Sequence, residues 1–131
     1  MKRIQVEPHL SVTGACSAEW VPIKPKTDAA FLFALIHVML HEQPRSRLDL
    51  DFLFQHTSSP YIVGPHGYYL REPGSRKPLV CSSLDCLHFS ATAVEIGPDG
   101  EVLAQGDLKG ETAFTKLLAH MKPYTPEWAA K

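Results

Sequence analysis

The chain has 131 residues, of which 44% are apolar and 21% charged, with a formal net charge of −1. That length holds one domain or a piece of a larger one, and the near-neutral balance points away from nucleic-acid and membrane-surface binding. Three cysteines, Cys16, Cys81 and Cys86, form no even framework and no CxxC pair, and the spacing of the last two is loose for a metal or disulfide pair.

Met1-Lys2-Arg3 runs straight into a strand pattern with no apolar h-region, so no targeting segment is expected there. Residues 3–7 alternate polar and apolar, which predicts a strand with Ile4 and Val6 facing a core. It ends at Glu7-Pro8, and an acidic residue at the carboxyl end of an α/β strand is well placed for ribose hydroxyls; the plainer reading is a solvated glutamate. Residues 9–19 are small and polar and predict a loop with at most one helical turn. Ser11, Thr13 and Gly14 could offer hydroxyls and backbone N–H groups to a phosphate or sugar, but no GxGxxG or GxxxxGK[ST] spacing is present.

The organising stretch follows. Trp20-Val21-Pro22-Ile23 reads as a short buried strand, ended by Pro25, which has no N–H for a ladder. Thr27 is a good N-cap and Asp28 adds negative charge to the first turn of a helix running from Ala29 to Glu42. Its body is apolar on almost every face, which predicts a helix packed on several sides. It is too short for a bilayer, which needs about 20 apolar residues. A strand leading to a helix N-terminus, with a carboxylate at the joint, is a frequent seat of nucleotides.

Pro44 closes this helix. A shorter one is expected from Leu50 to Gln55, capped by Asp49, with Phe52 and Leu53 inward. Tyr61-Ile62-Val63 is a short β segment. Residues 67–71 and 77–81 form two arms of a hairpin about Pro73-Gly74-Ser75. Strands at 92–96 and 101–104 flank the turn Gly97-Pro98-Asp99-Gly100. The last full helix spans Glu111 to Met121, and Thr125-Pro126-Glu127 starts another. A helix begun near the end, and a first strand with few long apolar neighbours, give the expectation of an interior fragment.

Few residues suggest chemistry on their own. His37 and His41 share a helix face, but HVMLHE is not HExxH and no third ligand is evident, so they read as buried or half-buried histidines near a helix C-terminus. No GxSxG occurs. Asp49/Asp51 and Glu95/Asp99 read as caps and solvated turn residues.

Larger patterns carry more. Val6-Glu7-Pro8-His9-Leu10-Ser11-Val12-Thr13-Gly14, then Glu19-Trp20-Val21-Pro22-Ile23-Lys24-Pro25-Lys26-Thr27-Asp28-Ala29-Ala30, resembles a segment of the molybdopterin oxidoreductases of the dimethyl-sulfoxide-reductase superfamily. Asp51-Phe52-Leu53 with His56-Thr57 and Pro60-Tyr61, Gly67 to Pro73, Ala113-Phe114, and Tyr124 to Ala129 look similar in the same order. The resemblance covers essentially the whole chain.

It implies an α/β fold: a Rossmann-like fragment of a molybdopterin-binding domain with appended β-hairpins and helices. Residues 1–131 would be one partial domain, with 1–60 as a strand-loop-strand-helix nucleotide-binding part and 61–131 as hairpins and C-terminal helices. The cofactor implied is molybdopterin guanine dinucleotide carrying Mo or W, held by its guanosine end. Asp28 matches the family aspartate that reads guanine, since a carboxylate accepts two parallel hydrogen bonds from guanine N1–H and the 2-amino group. Glu7 matches an acidic position near the ribose, and Pro8, Ser11, Ile23, Pro25 and Thr27 would shape the pocket. His9 stands where the family commonly has Arg, and Lys26 where it has Gly; the Lys26 ammonium could offset phosphate charge.

The family's Fe–S cysteine motif and metal ligand lie upstream of this segment, so the chain is expected to hold no Fe–S cluster and to have no redox turnover alone. Its partner would be the rest of a catalytic subunit or a self-association partner, with no nucleic acid and no membrane span. The alternative is a non-enzymatic interaction module that associates through its apolar helix and open sheet edge. Location would be cytoplasmic, or periplasmic if the full subunit carries a twin-arginine signal.

Overall fold

The computed structural model describes residues 1–131. The chain divides into two compact units, residues 1–43 with 121–131, and residues 44–120. The boundary expected at 60/61 falls inside the second of these.

In the first unit β1 (Ile4–Glu7) pairs in parallel with β2 (Glu19–Pro22), Ile4 opposite Glu19 and Glu7 opposite Pro22. The crossover between them is a single helical turn, α1 (Val12–Ala15), whose first amides are served by Ser11: its Oγ accepts from Gly14 N at 3.1 Å. Ile4 and Val6 do not both reach a core, since Ile4 is 51% exposed and Val6 half-buried. The expected buried strand at 20–23 is also corrected: β2 lies one residue earlier and only Val21 is even partly buried. A two-stranded pair has no second ladder and leaves both faces open.

Helix α2 (Asp28–His37) continues into a π-helical turn, Val38–Glu42, that stops before Pro44. Only Ala34 and His37 are buried on α2. Leu32, Leu35, Ile36 and Met39, spaced as one helical stripe, are all exposed, Leu32 by 55% and Met39 by 56%. The expectation of a helix packed on several sides therefore fails within this chain. Helix α5 (Pro126–Ala129) packs against α2, and its cap is Thr125, whose Oγ1 accepts from Trp128 N at 3.2 Å. Tyr124 links the two helices, its ring 5.1 Å from Phe33 and 4.9 Å from Trp128.

The second unit opens with a 3-10 turn, Arg45–Arg47, and α3 (Leu50–His56), where Asp49 Oδ1 accepts from Phe52 N at 2.9 Å as expected of a cap. Phe52 faces solvent rather than inward. Four strands follow, β3 (Ile62–Val63), β4 (Leu70–Arg71), β5 (Phe89–Ile96) and β6 (Val102–Thr112), in the antiparallel order β3-β6-β5-β4. The hairpin expected about residues 73–75 forms, with Leu79 N donating to Leu70 O at 2.8 Å. The turn at 97–100 joins β5 to β6, and Gly100 takes φ +83°, a region open to glycine.

β6 runs on to Thr112, through residues expected to be loop and helix, and α4 (Ala113–Met121) begins directly after it. Thr112 marks the boundary: it pairs with Ile62 of β3, its N–H donates to Cys86 O and its hydroxyl to Leu84 O, and that hydroxyl accepts from Thr115 N in the first turn of α4. Cys81 and Cys86, read from spacing as too loose a pair, are joined by a disulfide across Ser82-Ser83-Leu84-Asp85. Ile62, Leu70 and Ala93 form the centre of the core, with Leu79, Phe89 and Leu108 packed against it; Phe114 is 2% exposed. No helix is long and apolar enough to cross a membrane.

Candidate functional site

Parallel pairing puts the carboxyl ends of β1 and β2 on one edge, and the two segments of interest leave from it: 8–11 after β1, and 23–28 after β2. In open α/β sheets ligands sit outside that edge. An antiparallel pairing of the same strands would have sent these loops to opposite ends.

On the second segment, Pro25 and Lys26 form a turn closed by Thr27, whose N–H donates to Lys24 O at 3.2 Å and whose Oγ1 donates to the same oxygen at 2.7 Å. Thr27 stands at the N-cap but makes no side-chain cap bond, so the expected capping role is replaced by turn closure. Lys26 adopts φ +69°, the left-handed region, which is the physical reason a glycine suits this place. Asp28 is the first residue of α2, exposed, and its carboxylate is engaged in no hydrogen bond or ion pair within the chain. Its acceptor oxygens are open to an outside donor pair. Ile23, Lys24 and Thr27, with Pro22, Phe31 and Ala129 to Lys131, line a cavity of about 300 Å³.

On the first segment, Glu7 is not the solvated residue of the plain reading. Ser11 N donates to its Oε1 at 2.8 Å, and Ser11 Oγ lies 2.8 Å from Oε1 and 3.0 Å from Oε2. These bonds, the backbone one first, hold the Glu7 carboxyl below the usual glutamate range. Pro8 and His9 are exposed beside it.

Outside this edge, His37 Nδ1 donates to Met121 O at 2.9 Å, so one nitrogen of the His37/His41 pair is committed to the backbone; the two rings lie 4.9 Å apart. No three His, Cys, Asp or Glu side chains gather to hold a metal ion. Glu95, read as a solvated turn residue, is fully buried in the second unit. It accepts from His66 N and Tyr68 N at 3.1 and 3.0 Å and faces His66 Nδ1 at 2.9 Å. A carboxylate only accepts, so that nitrogen carries the proton. Nothing in a Val-Glu-Ile run flags such burial; the nearest signal is Gly64, where a Cβ would come 2.6 Å from the Glu95 carboxyl carbon.

The sequence is distantly related to oxidoreductase subunits, the class its motifs resemble. It is 29% identical to a sulfite dehydrogenase subunit of Allochromatium vinosum over an alignment of 143 residues that takes in 97% of this chain. It is 41% identical over 64 residues, 48% of this chain, to the dimethyl sulfoxide reductase DmsA of Haemophilus influenzae. The chain spans 14% of the first relative's length and 7% of the second's. No protein-family profile matches it.

Proposed function

We propose that the first unit binds the guanosine end of molybdopterin guanine dinucleotide, as a Rossmann-like segment of a molybdenum or tungsten oxidoreductase catalytic subunit. The observation that carries this is the exposed, unpaired carboxylate of Asp28 at the first turn of α2, on the same sheet edge as the loop after β1. The similarity of nearly the whole chain to a sulfite dehydrogenase subunit supports it. The residues present fit the group: Asp28 offers two parallel acceptors to guanine, and Ile23, Pro25 and Thr27 form the turn beside it, while His9 and Lys26 are exposed cations or potential cations suited to phosphate. When bound, the cofactor would supply the redox chemistry through its metal; this segment would orient its nucleotide end. Calorimetry with GDP and ADP tests the reading. GDP should bind in preference, and Asp28→Ala should cost at least about tenfold in GDP affinity while leaving ADP unchanged. Equal binding of the two nucleotides by folded wild type would sink the guanine assignment.

A second reading is favoured by the exposed stripe Leu32, Leu35, Ile36 and Met39. A helix so apolar is built to be covered, and this face would pack against the rest of a catalytic subunit or a second copy of the chain.

A further inference from the structure

We infer that Glu7 and Ser11 are positioning residues for the guanosine site and do not themselves touch the ribose; this rests on the guanine-binding reading above. The argument is one of hydrogen-bond capacity. An ionised carboxylate has about four acceptor sites. Oε1 of Glu7 takes Ser11 N and Ser11 Oγ, both at 2.8 Å; Oε2 takes a share of Ser11 Oγ at 3.0 Å and Gln5 Nε2 at 3.5 Å. Ser11 Oγ spends its one proton on Glu7 and accepts from Gly14 N at 3.1 Å. These three protons meet about four acceptor sites, so the carboxylate is committed first to Ser11 and a sugar hydroxyl would find at most one site, on Oε2. The backbone is held as well, since Trp20 Nε1 donates to Glu7 O at 3.2 Å and so ties the end of β1 to β2.

The geometry also explains Gly14. A Cβ at that position would come 2.3 Å from Glu7 Oε1 and 3.1 Å from Leu10 Cδ1. Gly14 is buried, and its missing side chain is the space the carboxylate occupies. The unit formed by Glu7, Ser11 and Gly14 therefore folds the chain back on the end of β1. Pro8, His9 and Leu10, all exposed, are the residues it presents at the ligand edge. A ribose or phosphate contact from this loop falls to His9 and the backbone.

The test compares GDP with 2′,3′-dideoxy-GDP, which lacks the hydroxyls a ribose-reading carboxylate would bind. Glu7→Ala should weaken both ligands by the same factor, about tenfold, because the loop and not a sugar contact is lost. Glu7→Gln should stay within about threefold of wild type, since its amide oxygen can still accept both Ser11 donors. Gly14→Ala keeps the carboxylate but pushes it aside, and should also weaken both ligands equally; it carries the test if Glu7→Ala does not fold. A loss at least about threefold smaller for the dideoxy ligand, or no loss in Glu7→Ala, would overturn the positioning role and leave the guanine reading standing. Wild type that does not prefer GDP to ADP would overturn the guanine reading and this inference with it.

Discussion

Residues 44–120 bury a core of their own, whereas residues 1–43 with 121–131 leave most of their apolar surface open. The second unit is an antiparallel sheet in which one short turn joins β5 to β6 and the other pairings join segments further apart in the chain, and it closes over Ile62, Leu70, Ala93 and Phe114. The first holds a two-stranded parallel pair and a helix whose apolar stripe faces outward. Parallel strands are normally covered on both faces by helices and flanked by further strands. The candidate site thus lies on the unit least able to support itself, and intrinsic stability should be concentrated in the unit without it.

The largest effect that checks this contrast is Phe114→Ala. Removing a fully packed ring from the second unit should cost about 4 kcal/mol in urea unfolding, and a loss under about 1 kcal/mol would break the comparison. Leu35→Ser with Met39→Ser on the exposed stripe should change stability by about 0.5 kcal/mol or less. The same pair should abolish any self-association of the wild type seen by size exclusion with light scattering; a clean wild-type monomer at high concentration would count against a second copy as the occupant.

The smallest effect is the pH response of the β1 end. Because Ser11 holds the Glu7 carboxyl below its usual range in the folded chain, ionised Glu7 is favoured by folding. Its stabilisation is complete above the unfolded glutamate value, about 4.3, and is lost as pH falls through the lower folded value. The Ser11 amide resonance should report that midpoint, and the change should stay within residues 7–14. A midpoint at or above the ordinary value would show that the Ser11 bonds do not form in solution.

Local signals suffice where one residue's chemistry settles the outcome. Asp49 caps α3, Thr125-Pro126 starts α5, Pro44 ends the long helix, and Gly97 to Gly100 turns β5 into β6. Where partners distant in sequence decide, local signals mislead. Thr112 ends a strand because Ile62 of β3 pairs with it, with Leu84 and Cys86 taking its remaining donors. Glu95 is buried because the 64–68 loop supplies donors to it. Thr27 closes a turn instead of capping, since the Lys24 carbonyl lies within reach of its hydroxyl.

For the candidate site the division is similar. Sequence by itself determined which residue types stand at the ends of β1 and α2, because propensity, proline geometry and the family-like spacing are properties of the local chain. Only the tertiary structure decided that β1 and β2 run parallel, bringing both loops to one edge. It also decided that Glu7 is spent on Ser11 while Asp28 is left open. That split follows from hydrogen-bond capacity, which depends on who the neighbours are and is written nowhere in the residue itself.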